Sequence, residues 1–171
     1  MTARLDIKAD LSVTDEGLIE ALAWPFATPD RVGDMITKGA FASAAYPLPM
    51  LFGHDANDPV GAWTEGEERA DGLHLKGTLL IGDVPRAREV RALVVSGAVR
   101  GVSIGFRTKA ATNRKGGGRT ITDLELLECS LVSIPCHPGA RVASAKSAVR
   151  ALQLASALHR AAAQLSKGKV Q

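Results

Sequence analysis

The chain has 171 residues, 46% of them hydrophobic and 23% charged, which suits one cored domain with an appendage. No apolar run approaches the roughly 18 residues of a membrane-spanning helix, and the polar start MTARLDIKAD lacks the apolar stretch of a secretory signal. The net charge of +3 is uneven: Arg141, Lys146, Arg150, Arg160, Lys167 and Lys169 face no acidic residue after position 140, so the tail carries +6 and residues 1–140 carry −3.

Leu5 to Val13 alternates loosely and reads as a strand, and Gly17 to Phe26 as a second, ended by Pro25 and the turn-forming Thr28-Pro29-Asp30. Asp30 to Gly39 is a polar loop, Gly39 to Ala45 suits a short helix, and Pro49 to His54 is a short apolar run. Gly61 to Glu67 and Leu73 to Ile81 flank the charged turn Glu68-Arg69-Ala70-Asp71-Gly72 and predict a hairpin. Val84, Ala87, Val90, Leu93 and Val94 recur at helical spacing, so Val84 to Val95 reads as an amphipathic helix closed by Gly97. Gly101 to Lys109 is a strand, Asn113 to Gly118 a flexible loop, and Thr120 to Ile134 a long strand stopped by Pro135. From about Val142 the chain turns alanine-rich, with one apolar stripe at steps of three and four that predicts a helix in need of a surface. About seven strands with two or three helices that do not alternate with them favour an α+β, mostly β fold built on an antiparallel barrel or sandwich. The division expected is a body over 1–140 and a basic tail over 141–171.

Three segments carry candidate chemistry. Gly101-Val102-Ser103-Ile104-Gly105 matches G-x-S-x-G on paper, but a nucleophile elbow needs a strand, a sharp turn and a helix, and here Phe106 to Lys109 continues the strand. Read as a strand, Val102, Ile104 and Phe106 face a core, while Gly101, Ser103 and Gly105 share the other face. The glycines leave Ser103 on a face with no neighbouring bulk and mark close approach by another backbone or a ligand, such as a polypeptide substrate, and a turn or bulge with an incidental serine is the bland alternative. Met50 to Asp55 brings His54 to the end of an apolar run, where it is either merely exposed or the base that activates a serine. Glu128 falls, by simple alternation, on the face of Leu124, Leu126 and Val132. A carboxylate in an apolar row calls for a partner such as an imidazolium, unless the strand edge is wet. Glu125 is the weaker candidate. Cys129 and Cys136 fit no metal signature or disulfide framework and read as small buried residues of a reducing compartment. No cofactor is called for.

Six blocks in order, PDRVGDMITKGAF (Pro29 to Phe41), LPMLFGHD (Leu48 to Asp55), PVGAW (Pro59 to Trp63), DGLHLKGTL (Asp71 to Leu79), VSGAVRGVSIGF (Val95 to Phe106) and LLECSLVSIPCHPGA (Leu126 to Ala140), resemble the tailed-phage prohead (capsid-maturation) protease family over roughly Gly17 to Ala140. The resemblance implies a herpesvirus-protease-like fold, an antiparallel β-barrel flanked by helices. It also implies a serine endopeptidase whose catalytic residues match His54 and Ser103. Family members carry a Glu before a Val-Ser pair, which corresponds to Glu128 with Cys129 in place of the aliphatic residue. The related herpesvirus enzymes use a second histidine as third member, and Asp55 and His137 stand next to Glu128 for that role. The implied substrate is scaffold or capsid polypeptide, and the chain itself, inside a procapsid assembling in the bacterial cytoplasm. Association through the tail helix gives a homodimer, with no membrane and no specific nucleic acid as partner. An inactive homologue that binds scaffold is the competing expectation. An oxyanion hole is expected from amides of Pro135 to Gly139, with Arg141 assisting.

Overall fold

The computed structural model describes residues 13–143. In chain order they form β1 (Leu18–Pro25), β2 (Met35–Ile36), β3 (Leu48–Phe52), β4 (Pro59–Glu68), β5 (Gly72–Leu79), α1 (Pro85–Val95), β6 (Gly101–Asn113), β7 (Arg119–Val132) and β8 (Arg141–Val142). The strand expected over Leu5 to Val13 lies, apart from Val13, outside the described residues, as does the tail helix from residue 144 on.

The ring runs β7-β3-β4-β5-β1-β8-β6, and β6 pairs back to β7, so seven strands close a barrel while β2 adds to the early part of β7. Inward positions follow the period of two. Ile19, Ala21 and Ala23 of β1, Leu73, Leu75 and Leu79 of β5, and Val102 and Ile104 of β6 all lie in one buried cluster. Trp63 fills the centre, fully buried, and its indole N–H donates to the Cys129 carbonyl at 2.8 Å, which ties β4 to β7 across the core.

The single helix among the described residues starts on Pro85, where a missing N–H is harmless, and buries Ala87, Val90 and Val94 against β4 and β5. Gly97, at φ 79°, lets its N–H reach the Val94 carbonyl at 3.0 Å and stops the helix as expected.

Three expectations need correction. The barrel is mixed rather than antiparallel throughout, because β3 and β2 both run parallel to β7. The flanking helices reduce to α1 among the described residues. Gly39 to Ala45 is a chain of turns: Ala40, Ala42 and Ala44 each donate to the carbonyl three residues back. The Glu68 carboxylate takes the amides of Gly39 at 2.7 Å and Phe41 at 3.1 Å, and a segment this short does not repay helix nucleation. At the other end, Arg141 and Val142 pair with β1, so the barrel wall includes the first two residues of the segment assigned to the tail.

Candidate active site

Because β3 and β7 run parallel, both finish at the same rim, and the residues after β3 lie over the end of β7. The register sets Leu51 beside Ser130 and Phe52 beside Leu131. Gly53 continues the ladder by donating to the Leu131 carbonyl at 3.0 Å. The chain then reverses at once. Gly53 and His54 have φ of 66° and 63°, and Asp55 N–H returns to the Phe52 carbonyl at 3.2 Å. Two consecutive left-handed residues are the mark of a primed turn. Glycine adopts this conformation freely. For His54 it is strained, which is the kind of outlier that gathers at functional sites.

On the neighbouring strand, β6 pairs with β7 so that Gly101, Ser103 and Gly105 stand opposite Val132, Ser130 and Glu128. The next pair is Phe106 with Leu126, leaving Leu127 without a partner and 44% exposed. This bulge shifts the phase of β7. Leu124 and Leu126 face the core, and so do Cys129 and Leu131, whereas Glu128 and Ser130 face outward with Ser103. The expected placement of Glu128 on the face of Leu124 and Leu126 is therefore corrected: simple alternation fails across one extra residue.

The two glycines of β6 have intramolecular reasons to be glycine. A Cβ on Gly105 would press into the Glu128 carboxylate, with its Cγ only 2.9 Å away, and one on Gly101 would meet the Pro135 ring at 2.6 Å. Ser103 thus sits between a carboxylate and a proline ring, rather than on a face free of bulk. It is 5% exposed, and its hydroxyl makes no hydrogen bond among the described residues, to His54 or to anything else. It is nevertheless not sealed without a partner, as Trp24 Nε1 alone is among the described residues, so the oxygen keeps contact with solvent.

His54 Nδ1 lies 2.7 Å from Glu128 Oε1. A carboxylate oxygen only accepts, so Nδ1 donates, and in the neutral ring Nε2 is left as an acceptor. The imidazole is 45% exposed and the carboxylate 14%. The second carboxylate oxygen accepts from the Ser130 hydroxyl at 2.6 Å. Ser130 is fully buried and was missed from the sequence. Its signal was the Glu-x-Ser spacing, which puts a carboxylate and a hydroxyl on one strand face.

The alternatives for the third member are engaged elsewhere. Asp55 accepts from the Asn57 amide at 2.8 Å within its own loop. His137 is buried, takes the Gly139 N–H on Nδ1 at 3.0 Å and so donates from Nε2 to the Thr28 carbonyl at 3.1 Å, with Trp24 packed edge-on at 5.0 Å. Glu125 pairs with Arg107 at 2.9 Å on the open surface.

Neither thiol suits a nucleophile. Burial, and then the Glu128 charge, push the Cys129 thiol well up, and burial with the Asp30 carboxylate at 3.2 Å pushes Cys136 up, so both stay protonated and inert. Among the described residues no group of three metal-ligating side chains converges.

The loop from Pro135 to Gly139 is strapped from the other side. Arg31 donates its backbone N–H to the Cys136 carbonyl and its Nε to the Pro135 carbonyl, both at 3.1 Å. Asp34 anchors that strap, its carboxyl lowered below its usual range first by hydrogen bonds from the Arg119 side chain.

A histidine bonded to a carboxylate, with a serine one strand away, is an arrangement of the kind serine hydrolases use for acyl transfer. The chain belongs to the family described as caudovirus prohead serine protease, whose model matches residues 3–154. It is 33% identical over 127 residues to the capsid polyprotein of Pseudomonas phage PAJU2, covering 70% of this chain and 19% of the polyprotein. It is 32% identical over 139 residues to the prohead protease of Enterobacteria phage HK97, covering 77% of this chain and 61% of that protein. A third relative, the prohead protease of Escherichia phage T5, is 29% identical over 150 residues, 82% of this chain and 70% of the protease. The chain thus spans less than two thirds of the first two relatives.

Proposed function

We propose that this chain is a serine endopeptidase that cleaves scaffold and capsid-protein segments, and itself, during procapsid maturation in the bacterial host. Ser103 is the nucleophile, His54 its base and Glu128 the residue that orients the imidazole. The observation that carries the reading is the 2.7 Å bond from His54 Nδ1 to Glu128, made on the outward face that Ser103 shares. It fixes the tautomer that leaves Nε2 ready to accept a proton.

In the reaction, His54 Nε2 takes the proton of the Ser103 hydroxyl as Oγ attacks the scissile carbonyl carbon. The imidazolium, held against Glu128, returns that proton to the departing amine, leaving an acyl group on Ser103. Water, deprotonated by the same nitrogen, then attacks the acyl carbon and releases the acid, and the imidazolium returns the proton to Ser103 Oγ. The Ser103–His54 hydrogen bond forms with substrate in place, since such bonds are often open in the free enzyme.

The oxyanion falls to the loop after β7. Pro135 and Pro138 have no N–H, and the amides of Gly139 and Ala140 already donate to His137. That leaves the amides of Cys136 and His137. Arg141, opposite Gly101 on β8 and exposed, stands on the same outer face. The basic tail supplies the contact of a homodimer. No helix among the described residues is long and apolar enough to cross a membrane.

The test is co-expression with a capsid protein bearing its scaffold segment, followed by mass spectrometry, and labelling with a fluorophosphonate probe. Specific cleavage together with a label on Ser103 is the expected result. Intact capsid protein and no label would favour a scaffold-binding homologue without catalysis.

A further inference from the structure

Ser130 lies 76 residues from His54 in sequence, yet its hydroxyl oxygen accepts the His54 backbone N–H at 3.1 Å. The same hydroxyl donates to Glu128 Oε2 at 2.6 Å, and Glu128 Oε1 accepts from the His54 ring at 2.7 Å. The three bonds form a closed circuit: backbone of His54, hydroxyl of Ser130, carboxylate of Glu128, ring of His54. We infer that Ser130 is a positioning residue, one buried hydroxyl that fixes both the left-handed backbone of the candidate base and the carboxylate that orients its ring.

Geometry and chemistry support this over two simpler roles. Ser130 is no competing nucleophile, because it is fully buried and its one proton is committed to Glu128. Nor is it a mere space-filler. Without its oxygen, the His54 amide would lose its partner in a turn whose φ of 63° is already strained, and one carboxylate oxygen would stand unpaired in a half-closed site. Anchored at two points by one group, the imidazole has few ways to rotate. That matters because an error near 1 Å in such a group lowers rates by roughly 100-fold.

The inference rests on the proposed roles of His54 and Glu128, so the experiment includes a readout that needs no catalysis. The full chain is labelled with nitrogen-15, and the His54 ring nitrogens are observed at a pH where the ring is neutral. The wild type should show the Nδ1-protonated tautomer, and Ser130→Ala should shift it toward Nε2 protonation. An unchanged ring pattern in Ser130→Ala overturns the proposal. On capsid-protein cleavage, Ser130→Ala should lower kcat roughly 10- to 100-fold with KM changed less than about twofold. In a Glu128→Gln background the same change should matter less than about threefold, because the hydroxyl acts through that carboxylate. Equal factors in both backgrounds would make Ser130 an independent structural residue and sink the idea. Should Ser130→Ala not fold, Ser130→Cys, a weaker donor of similar shape, should show the intermediate tautomer shift, and a wild-type pattern there overturns the proposal equally. If Ser103→Ala still cleaves, the catalytic reading fails while the ring measurement still decides the role of Ser130.

Discussion

Two histidines of the barrel each meet a carboxylate at hydrogen-bond distance, His54 with Glu128 at 2.7 Å and His74 with Asp71 at 2.9 Å, yet their surroundings differ. At the hairpin of β4 and β5, Asp71 is 63% exposed, and Arg69 lies 3.5 Å from the other ring nitrogen of His74. A cavity of about 210 Å³ opens there, lined by Glu20, Glu65, Glu67, Arg69, His74 and Lys76 among others, with no serine, threonine or cysteine in its wall. At the rim of β3 and β7, Glu128 is 14% exposed, its second oxygen is held by Ser130, and Nε2 of His54 is left open beside the strand of Ser103. The lesson is that a short His–carboxylate distance is ordinary. An anchored carboxylate, a free second nitrogen and a serine on the same outer face of the adjoining strand are what set a candidate site apart.

The sharpest way to break this contrast is to remove the groups proposed to act. Ser103→Ala and His54→Ala should each abolish capsid-protein cleavage, a loss of several orders of magnitude, with circular dichroism unchanged. Normal processing by either variant would erase the distinction between the two histidines. Glu128→Gln keeps the shape but donates where it should accept, and should reduce the rate roughly 10³-fold, less than loss of the serine. A wild-type rate would move the orienting role elsewhere. Gly105→Ala tests the packing instead: its methyl would press on the Glu128 carboxylate, so the rate should fall roughly tenfold or more and stability by about 1–3 kcal/mol in denaturant titration.

At the hairpin, the same kinds of substitution should do little. His74→Ala and Asp71→Asn should leave cleavage within about twofold and stability within about 1 kcal/mol. Hydrogen bonding to His74 lowers the Asp71 carboxyl below its usual range. The contribution is therefore present above the unfolded value near pH 4, and it disappears as pH falls through the lower folded value. Solvent screening keeps it to at most about 0.5 kcal/mol, so acid titration of wild type and Asp71→Asn should nearly superimpose. A large separation of the two curves would show that this pair is more than a surface contact.

Much of the wall was legible from local pattern. The β4–β5 hairpin, α1 with its stop at Gly97, and the inward row Val102, Ile104, Phe106 follow directly from period and turn chemistry. The two β6 glycines do mark close approach, but by the side chains of Glu128 and Pro135 and not by a backbone or ligand. What stayed hidden depends on partners distant in sequence. The parallel pairing of β3 with β7 leaves no mark on either strand, and the bulge at Leu127 looks like one more leucine in an apolar run. Without the bulge Glu128 reads as a core-face residue, and without the pairing nothing connects Ser130 to His54.

The two-residue strand β8 has a temporal consequence. Among the described residues β8 bridges β1 and β6, with Arg141 opposite both Leu22 and Gly101 and Val142 opposite Ala21, and the His54–Glu128 bond spans 74 positions of chain. Long-range closures of this kind form late, after the loop entropy has been overcome. A ribosome must therefore deliver nearly the whole described chain before the ring can shut, and any chain halted before Arg141 presents two raw strand edges to its neighbours.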